Sequence, residues 1–246
     1  MKGHFAGALV SALLLTACST SYVTPGPGAS LTQFAGADAS IAEVMAREPA
    51  AAFPARIATA RLQGGGYASR GAACHGGGRY CVATARDVES DSAFARLAAL
   101  PMVAGIAPVN RILLPNDLQS VDDLRAVAAS LRADMLLVYS LDTRFSLGGS
   151  DIGPLQLVSL GLFRTESARV TTTASAALFD VRTGFLYGVA EATSQEEQRS
   201  TVWGTEQVLE TVRRSTEARA FDDLVDALEG LWPSIIAVHA APGGGA

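Results

Sequence analysis

The chain has 246 residues, a formal net charge of −5, and 49% hydrophobic against 17% charged residues. So modest and acidic a balance implies no nucleic-acid partner. Beyond the first residues no uninterrupted apolar run approaches the roughly 18–20 residues that span a bilayer; the best, Leu97 to Val109, is shorter and broken by Pro101 and Pro108.

The first element is a leader. Lys2 supplies a positive n-region, Ala6 to Leu15 an apolar h-region too short to span a bilayer, and Thr16 and Ala17 the small residues a signal peptidase requires. The run LLLTACS ends on Cys18, and Leu15-Thr16-Ala17-Cys18 resembles the lipobox of bacterial lipoproteins. That resemblance implies cleavage between Ala17 and Cys18, a diacylglycerol on the Cys18 thiol and an acyl group on the new amine. One acyl chain binds a membrane marginally and two bind it stably, so three imply a durable anchor. Ser19 after the cysteine implies export to the periplasmic face of the outer membrane, where aspartate would favour the inner one. An ordinary signal peptide with a chance cysteine is the alternative.

Without residues 1–17 the chain is 229 residues long, enough for one sizeable core or two small ones. Lys2 is the only lysine and leaves with the leader, so neither a phosphate-loop lysine nor a Schiff base is available. His4 leaves too. A Ser-His-Asp triad would have to use His75, in a glycine-rich loop, or His239, near the tail. The body is therefore expected to be non-catalytic, and no cofactor is implied.

Ser19 to Ala37 is rich in Ser, Thr, Pro and Gly and reads, with Cys18, as a flexible tether over 18–37. A single periplasmic domain is expected over 38–233, with a tail over 234–246 whose end, APGGGA, is disordered. Ala39 to Arg47 suits a short helix. Phe53 to Gln63 suits a first strand, bounded by Pro54 and the glycines at 64–66. Gly64 to Tyr80 is a glycine-rich loop, followed by Cys81. In an oxidising compartment Cys74 and Cys81 are expected to pair. A metal held by Cys74, His75 and Cys81 is the rival, lacking the second Cys/His pair of a structural zinc site; two free thiols are a third reading.

Cys81 to Glu89 reads as a second strand leading to a helix over Ala93 to Leu100, capped by Ser90 or Asp91. Met102 to Leu114 suits a strand or two with a turn. Ser120 and Asp123 resemble a capping box, and Leu124, Val127, Ala128 and Leu131 form one helical face ending near Arg132. Met135 to Leu141 is a continuous apolar run, as in a strand buried on both faces. Asp134 and Asp142 flank it too far apart to share a site, and read as a cap and an edge. Gly148 to Pro154 suits a turn, and Leu155 to Phe163 either a strand or a short helix. Val170 to Phe179 and Phe185 to Thr193 form a hairpin around Asp180-Val181-Arg182-Thr183-Gly184, where Asp180 can accept turn N–H groups and Gly184 can take a positive φ. From Glu196 the charges at Glu206, Glu210, Arg213, Arg214, Glu217 and Arg219 suggest a long, partly exposed helix. Phe221, Leu224, Val225, Leu228 and Leu231 close it, with Pro233 as the stop.

This order belongs to an α/β (α+β) domain, a mixed sheet with packed helices and a β-hairpin. The segments LRAVAASLRADMLLVYSL, ASAALFDVRTGFLYGVAEA and PARIATARL resemble the helix-strand unit, the following hairpin and the opening strand of periplasmic lipoproteins related to the curli-secretion component and the penicillin-binding-protein activator lipoprotein. The resemblance covers Phe53 to Leu231 and implies a fold rather than a reaction. Three functions are compatible with it: a tethered binding or regulatory domain contacting another envelope protein, a subunit of an oligomeric outer-membrane pore, and an envelope-polymer hydrolase. A pore would need membrane hairpins, for which only Thr143 to Arg169 and the 170–193 hairpin are available, and neither shows sustained alternation between aromatic girdles.

Overall fold

In the computed structural model the described residues are 28–31, 40–67, 69, 72–149, 165–201 and 205–240. Ala17, Cys18, the leader, the 155–163 segment and the APGGGA end lie outside them. The elements are α1 (Ile41–Met45), β1 (Ala55–Gly64), β2 (Cys74–His75), β3 (Tyr80–Ala83), α2 (Asp91–Ala98), β4 (Val103–Pro108), α3 (Val121–Ser130), β5 (Met135–Gly149), β6 (Thr165–Asp180), β7 (Leu186–Thr201) and α4 (Thr205–His239). A 3₁₀ turn, Arg111–Leu113, links β4 to α3.

The strands form one mixed sheet in the order β2-β3-β1-β5-β6-β7, with β4 paired to β1. One edge of β1 carries β5 in parallel. The other carries β4 in parallel over Ala55–Thr59 and β3 antiparallel over Arg61–Gly64. The parallel strands β1, β4 and β5 thus begin at one end of the sheet, where β6 finishes and β7 starts.

Strand alternation divides the core in two. Ile57 on β1, Leu137, Tyr139 and Leu141 on β5, and Ala176 and Leu178 on β6 face α2 and α4. Ala58, Ala60 and Leu62, Leu136 and Val138, and Ala177 and Phe179 face α3. Met135 to Leu141 is buried throughout, because helices cover both faces there. Each fully buried Leu or Phe contributes about 1.5–3 kcal/mol.

Local chemistry sets the boundaries. Ser40 and Glu43 cap α1 reciprocally, Ser90 Oγ accepts from Ala93 N–H at 3.1 Å to start α2, and the Asp123 carboxylate accepts from Ser120 N–H at 3.0 Å at the start of α3. Chain reversal after α3 uses Arg132 at φ 55°. Gly184, at φ 72°, closes the β6–β7 turn as its position after Asp180 suggested. Gly188 allows α4 to approach β7, since a Cβ there would lie 2.9 Å from Leu231 Cδ2.

Several expectations need correction. The second strand ends at Ala83 rather than Glu89, whereas the 102–114 segment makes a strand and a turn as expected. The three long strands outrun the expected ones: β5 passes Leu141 to Gly149, β6 starts at Thr165, and β7 passes Thr193 to Thr201. Glu196 therefore lies on β7, and the last helix starts at Thr205. Pro233 does not stop it, although an interior proline costs about 3 kcal/mol: Trp232 and Ile235 are buried beside it, and Trp232 Nε1 donates to Pro101 O at 2.7 Å. The expected tail from 234 thus begins inside α4. Gly28–Leu31, within the expected tether, lies on the sheet: Gly28 bridges Gln63, Ala29 N–H donates to Ser140 Oγ at 2.8 Å, and Leu31 packs on the α3-side core.

Candidate functional site

The densest chemistry lies under the first half of α4. Arg61 points from β1 toward that helix, in a strand position where every neighbour is buried. Its guanidinium meets Asp87 at 2.8 Å, Glu89 at 3.5 Å and Glu217 at 3.6 Å, and donates to the Tyr67 hydroxyl at 2.8 Å. From α4, Arg213 meets Glu217 at 2.5 Å, Glu210 at 2.7 Å and Asp87 at 3.8 Å. Tyr139 donates to Glu89 at 2.9 Å, Thr143 to Glu217 at 2.8 Å, and Thr143 also bonds Thr172.

Arg61, Arg213 and Glu217 are no more than 2% exposed. The long, partly exposed helix expected here divides its charges: Arg213 and Glu217, at i, i+4, share the buried side of α4, while Arg214 and Arg219 are exposed. Burial opposes the charge of Arg61, but Glu89 and its other anionic neighbours outweigh it and raise its pKa. Arg213 is raised likewise, burial being overcome by Glu210 and Glu217. Burial, then Glu89, pushes the Tyr139 phenol well above its ordinary value. Both guanidiniums therefore stay charged and every carboxylate meets at least one of them, so the cluster acts as a clamp joining β1, the 84–90 segment and α4. No side chain in it is placed as a nucleophile beside a free base.

The clamp extends to the glycine-rich loop. Tyr67 and Ser69 reach Arg61 and Arg213, and the loop is closed by the Cys74–Cys81 disulfide, with Cα atoms 5.5 Å apart. Sulfurs bonded to each other are not available to a metal, which removes the Cys74–His75–Cys81 reading. The other histidine candidate, His239, stacks edge-on against Phe185 and Tyr187 at the far end of α4.

Asp134, Asp142 and Asp180, which the sequence singles out, have structural partners. Asp134 accepts from Arg56 N–H at 3.0 Å and Asp142 pairs with Arg144 at 3.1 Å. Asp180 accepts from Ala50, Arg182 and Thr183 N–H groups and from Tyr187 Oη. Burial raises its pKa, but these bonds prevail and hold it below the ordinary carboxylate value. A groove of about 430 Å³ opens between Gly28–Ser30 and the sheet face, lined by Ser140, Asp142, Thr173 and Glu191. Its polar groups largely satisfy one another, as in Thr173–Thr193 and Ser175–Glu191. The described parts of the stretches considered for membrane hairpins belong to the same sheet, with Thr143, Val170 and Thr172 buried on one face.

Sequence reasoning paired Cys74 with Cys81 but missed the clamp. The usable signal was Arg61 between Ala60 and Leu62 in the middle of the strand ARIATARLQ, where a buried guanidinium demands carboxylate partners.

No family model matches the chain, and no curated protein matches it significantly. Among solved structures it is similar to a protein from Caulobacter crescentus CB15 named provisionally as a lipoprotein, with 10% identity and a TM-score of 0.25 over 42% of this chain and 67% of that one. A likeness of that extent assigns neither the curli-secretion nor the activator superfamily.

Proposed function

We propose that the chain is a non-catalytic lipoprotein, held by lipid on Cys18 at the periplasmic face of the outer membrane, whose α/β body binds another protein of the cell envelope. The observation that carries this reading is the order leader, lipobox and Cys18 immediately before a body with a disulfide-closed loop. The clamp supports the non-catalytic part, since its acids are consumed in holding α4.

The test is fractionation of cells producing the chain. Wild type is expected in the outer-membrane fraction, and Cys18→Ser is expected to lose the lipid and accumulate uncut in the inner membrane. Wild type found wholly in the periplasmic supernatant would contradict the anchor. An envelope-polymer hydrolase is the reading that turnover of purified cell-wall polymer by the extracted protein would restore.

The length of β5, β6 and β7, 15 to 16 residues each, favours a second reading, a pore subunit. Light scattering of the detergent-extracted protein, with the detergent subtracted, separates the two. A monomer or dimer fits the tethered body; a ring of many subunits fits the pore.

A further inference from the structure

Nine large hydrophobic side chains are exposed among the described residues, and six of them gather at one end of the body. Ile41, Val44 and Met45 follow i, i+3, i+4 spacing on α1, are 85%, 43% and 80% exposed, and α1 buries no residue at all. Arg47 donates to Gly184 O at 3.3 Å, which places the end of α1 beside the β6–β7 turn. Leu186 starts β7 there, and Met102 immediately precedes β4 at the same sheet end. Val238 joins them through its neighbour His239, whose ring lies 5.1 Å from that of Tyr187. Of the other three among the described residues, Ile112 and Leu113 stand on the 3₁₀ turn and Val189 on β7.

A stripe of this kind on a capped helix is costly in water without a covering surface. Its chemistry says what that surface is. The six residues stand on four separate segments as individual protrusions. A protein partner needs complementary shape, whereas the acyl region of a bilayer accepts scattered apolar knobs. Arg47 and exposed Arg182 flank the rim, suited to headgroup phosphates. Glu43 is turned into the cap of its own helix, leaving Glu48 as the other acid on that segment.

Chain length agrees. Residues 19–27 separate Cys18 from Gly28, a path of at most about 35 Å fully extended. Gly28 lies over Ser140 and Asp142, and the five residues back to Met135 at the rim end of β5 span only about 17 Å. The lipid on Cys18 can thus reach the bilayer with this end of the body against it.

We propose that the rim of Ile41, Val44, Met45, Met102, Leu186 and Val238 rests on the surface of the bilayer that holds the lipid, fixing the body's orientation. The inference rests on the lipoprotein reading and adds a second, non-covalent contact. The full lipidated chain, carrying one added cysteine for a fluorophore at Met45→Cys, Val238→Cys or Ile112→Cys, is floated with vesicles of phosphatidylethanolamine and phosphatidylglycerol containing chain-quencher lipids. Labels at 45 and 238 should be quenched several-fold more than the label at 112. Adding Val44→Glu to the 238-labelled chain should leave flotation unchanged and abolish the difference.

Equal, weak quenching at all three positions on floated protein would overturn the rim contact while leaving the anchor intact. Cross-linking of position 45 to a protein in cells, with no quenching in vesicles, would overturn it in favour of a protein partner. Failure of unlabelled protein to float would overturn the lipoprotein reading, and the rim contact with it.

Discussion

The two halves of α4 meet the same sheet through opposite chemistry. From Leu209 to Glu217 the helix presents Arg213, Thr216 and Glu217 to Arg61, Thr143 and Thr172, all buried. From Phe221 to Ile235 it presents Phe221, Leu224, Val225, Leu228, Trp232 and Ile235 to an apolar face. Apolar contacts are tolerant of small shifts, whereas a buried guanidinium is stable only where its carboxylates are. The polar half therefore fixes where α4 sits along the strands, and the apolar half supplies most of the stabilisation.

The largest expected effects should separate these halves by what relieves them. Arg61→Met leaves Glu89 buried without its cation and Asp87 with only the 3.8 Å contact to Arg213, and should cost about 3–5 kcal/mol near neutral pH. Phe221→Ala removes a ring packed on Phe94 and Tyr139 and should cost about 3–5 kcal/mol as well. Adding Glu89→Gln to Arg61→Met removes the orphaned charge and should recover part of its deficit. Adding Glu89→Gln to Phe221→Ala should recover none. Urea unfolding midpoints of the single and double variants decide; equal behaviour would dissolve the distinction.

Next in size is the disulfide. Replacing both Cys74 and Cys81 by serine should lower stability by about 2–3 kcal/mol, and should loosen Tyr67 and Ser69, read as faster hydrogen exchange in that loop. A smaller effect is expected at Gly184→Ala: the left-handed φ costs about 1–2 kcal/mol in L-residues, and the new Cβ would meet Arg125 Nη1 at 3.0 Å. Glu210→Gln tests the rim of the clamp. Arg213 holds the Glu210 pKa below its ordinary value of 4.5, so its contribution is present above that value and is lost as pH falls through the lower folded one. The variant should therefore show a flatter acid limb of the stability curve and a small loss at neutral pH. The surface pair Arg169–Glu197 should matter least, under about 1 kcal/mol on Arg169→Ala.

How legible each half was follows from the same chemistry. Met135–Leu141 and the Asp180–Gly184 turn were readable because continuous apolar runs and Asp/Gly turn chemistry act locally. Helix α3 was readable through Ser120, Asp123 and its apolar face. The polar half of α4 was not: Glu210, Arg213, Glu217 and Arg219 look alike in sequence, and only tertiary contact with Arg61 distinguishes the buried pair from the solvated ones. Pro233 misled for a related reason, since the packing of Trp232 and Ile235 offsets a local preference to stop. The ends of β5 and β7 ran on past the expected limits because Thr143, Ser194 and Glu196 are covered by α4 rather than by apolar neighbours. The disulfide was legible from compartment and spacing; the lipid site remains a sequence inference from Leu15 to Cys18.

Anchoring of the body depends on that site, and mass spectrometry of the N-terminal peptide from membrane-extracted protein tests it directly. The predicted peptide begins at Cys18 and carries a diacylglyceryl thioether with an amide-linked acyl chain. A peptide that retains Lys2, or begins with an unmodified residue, would contradict it.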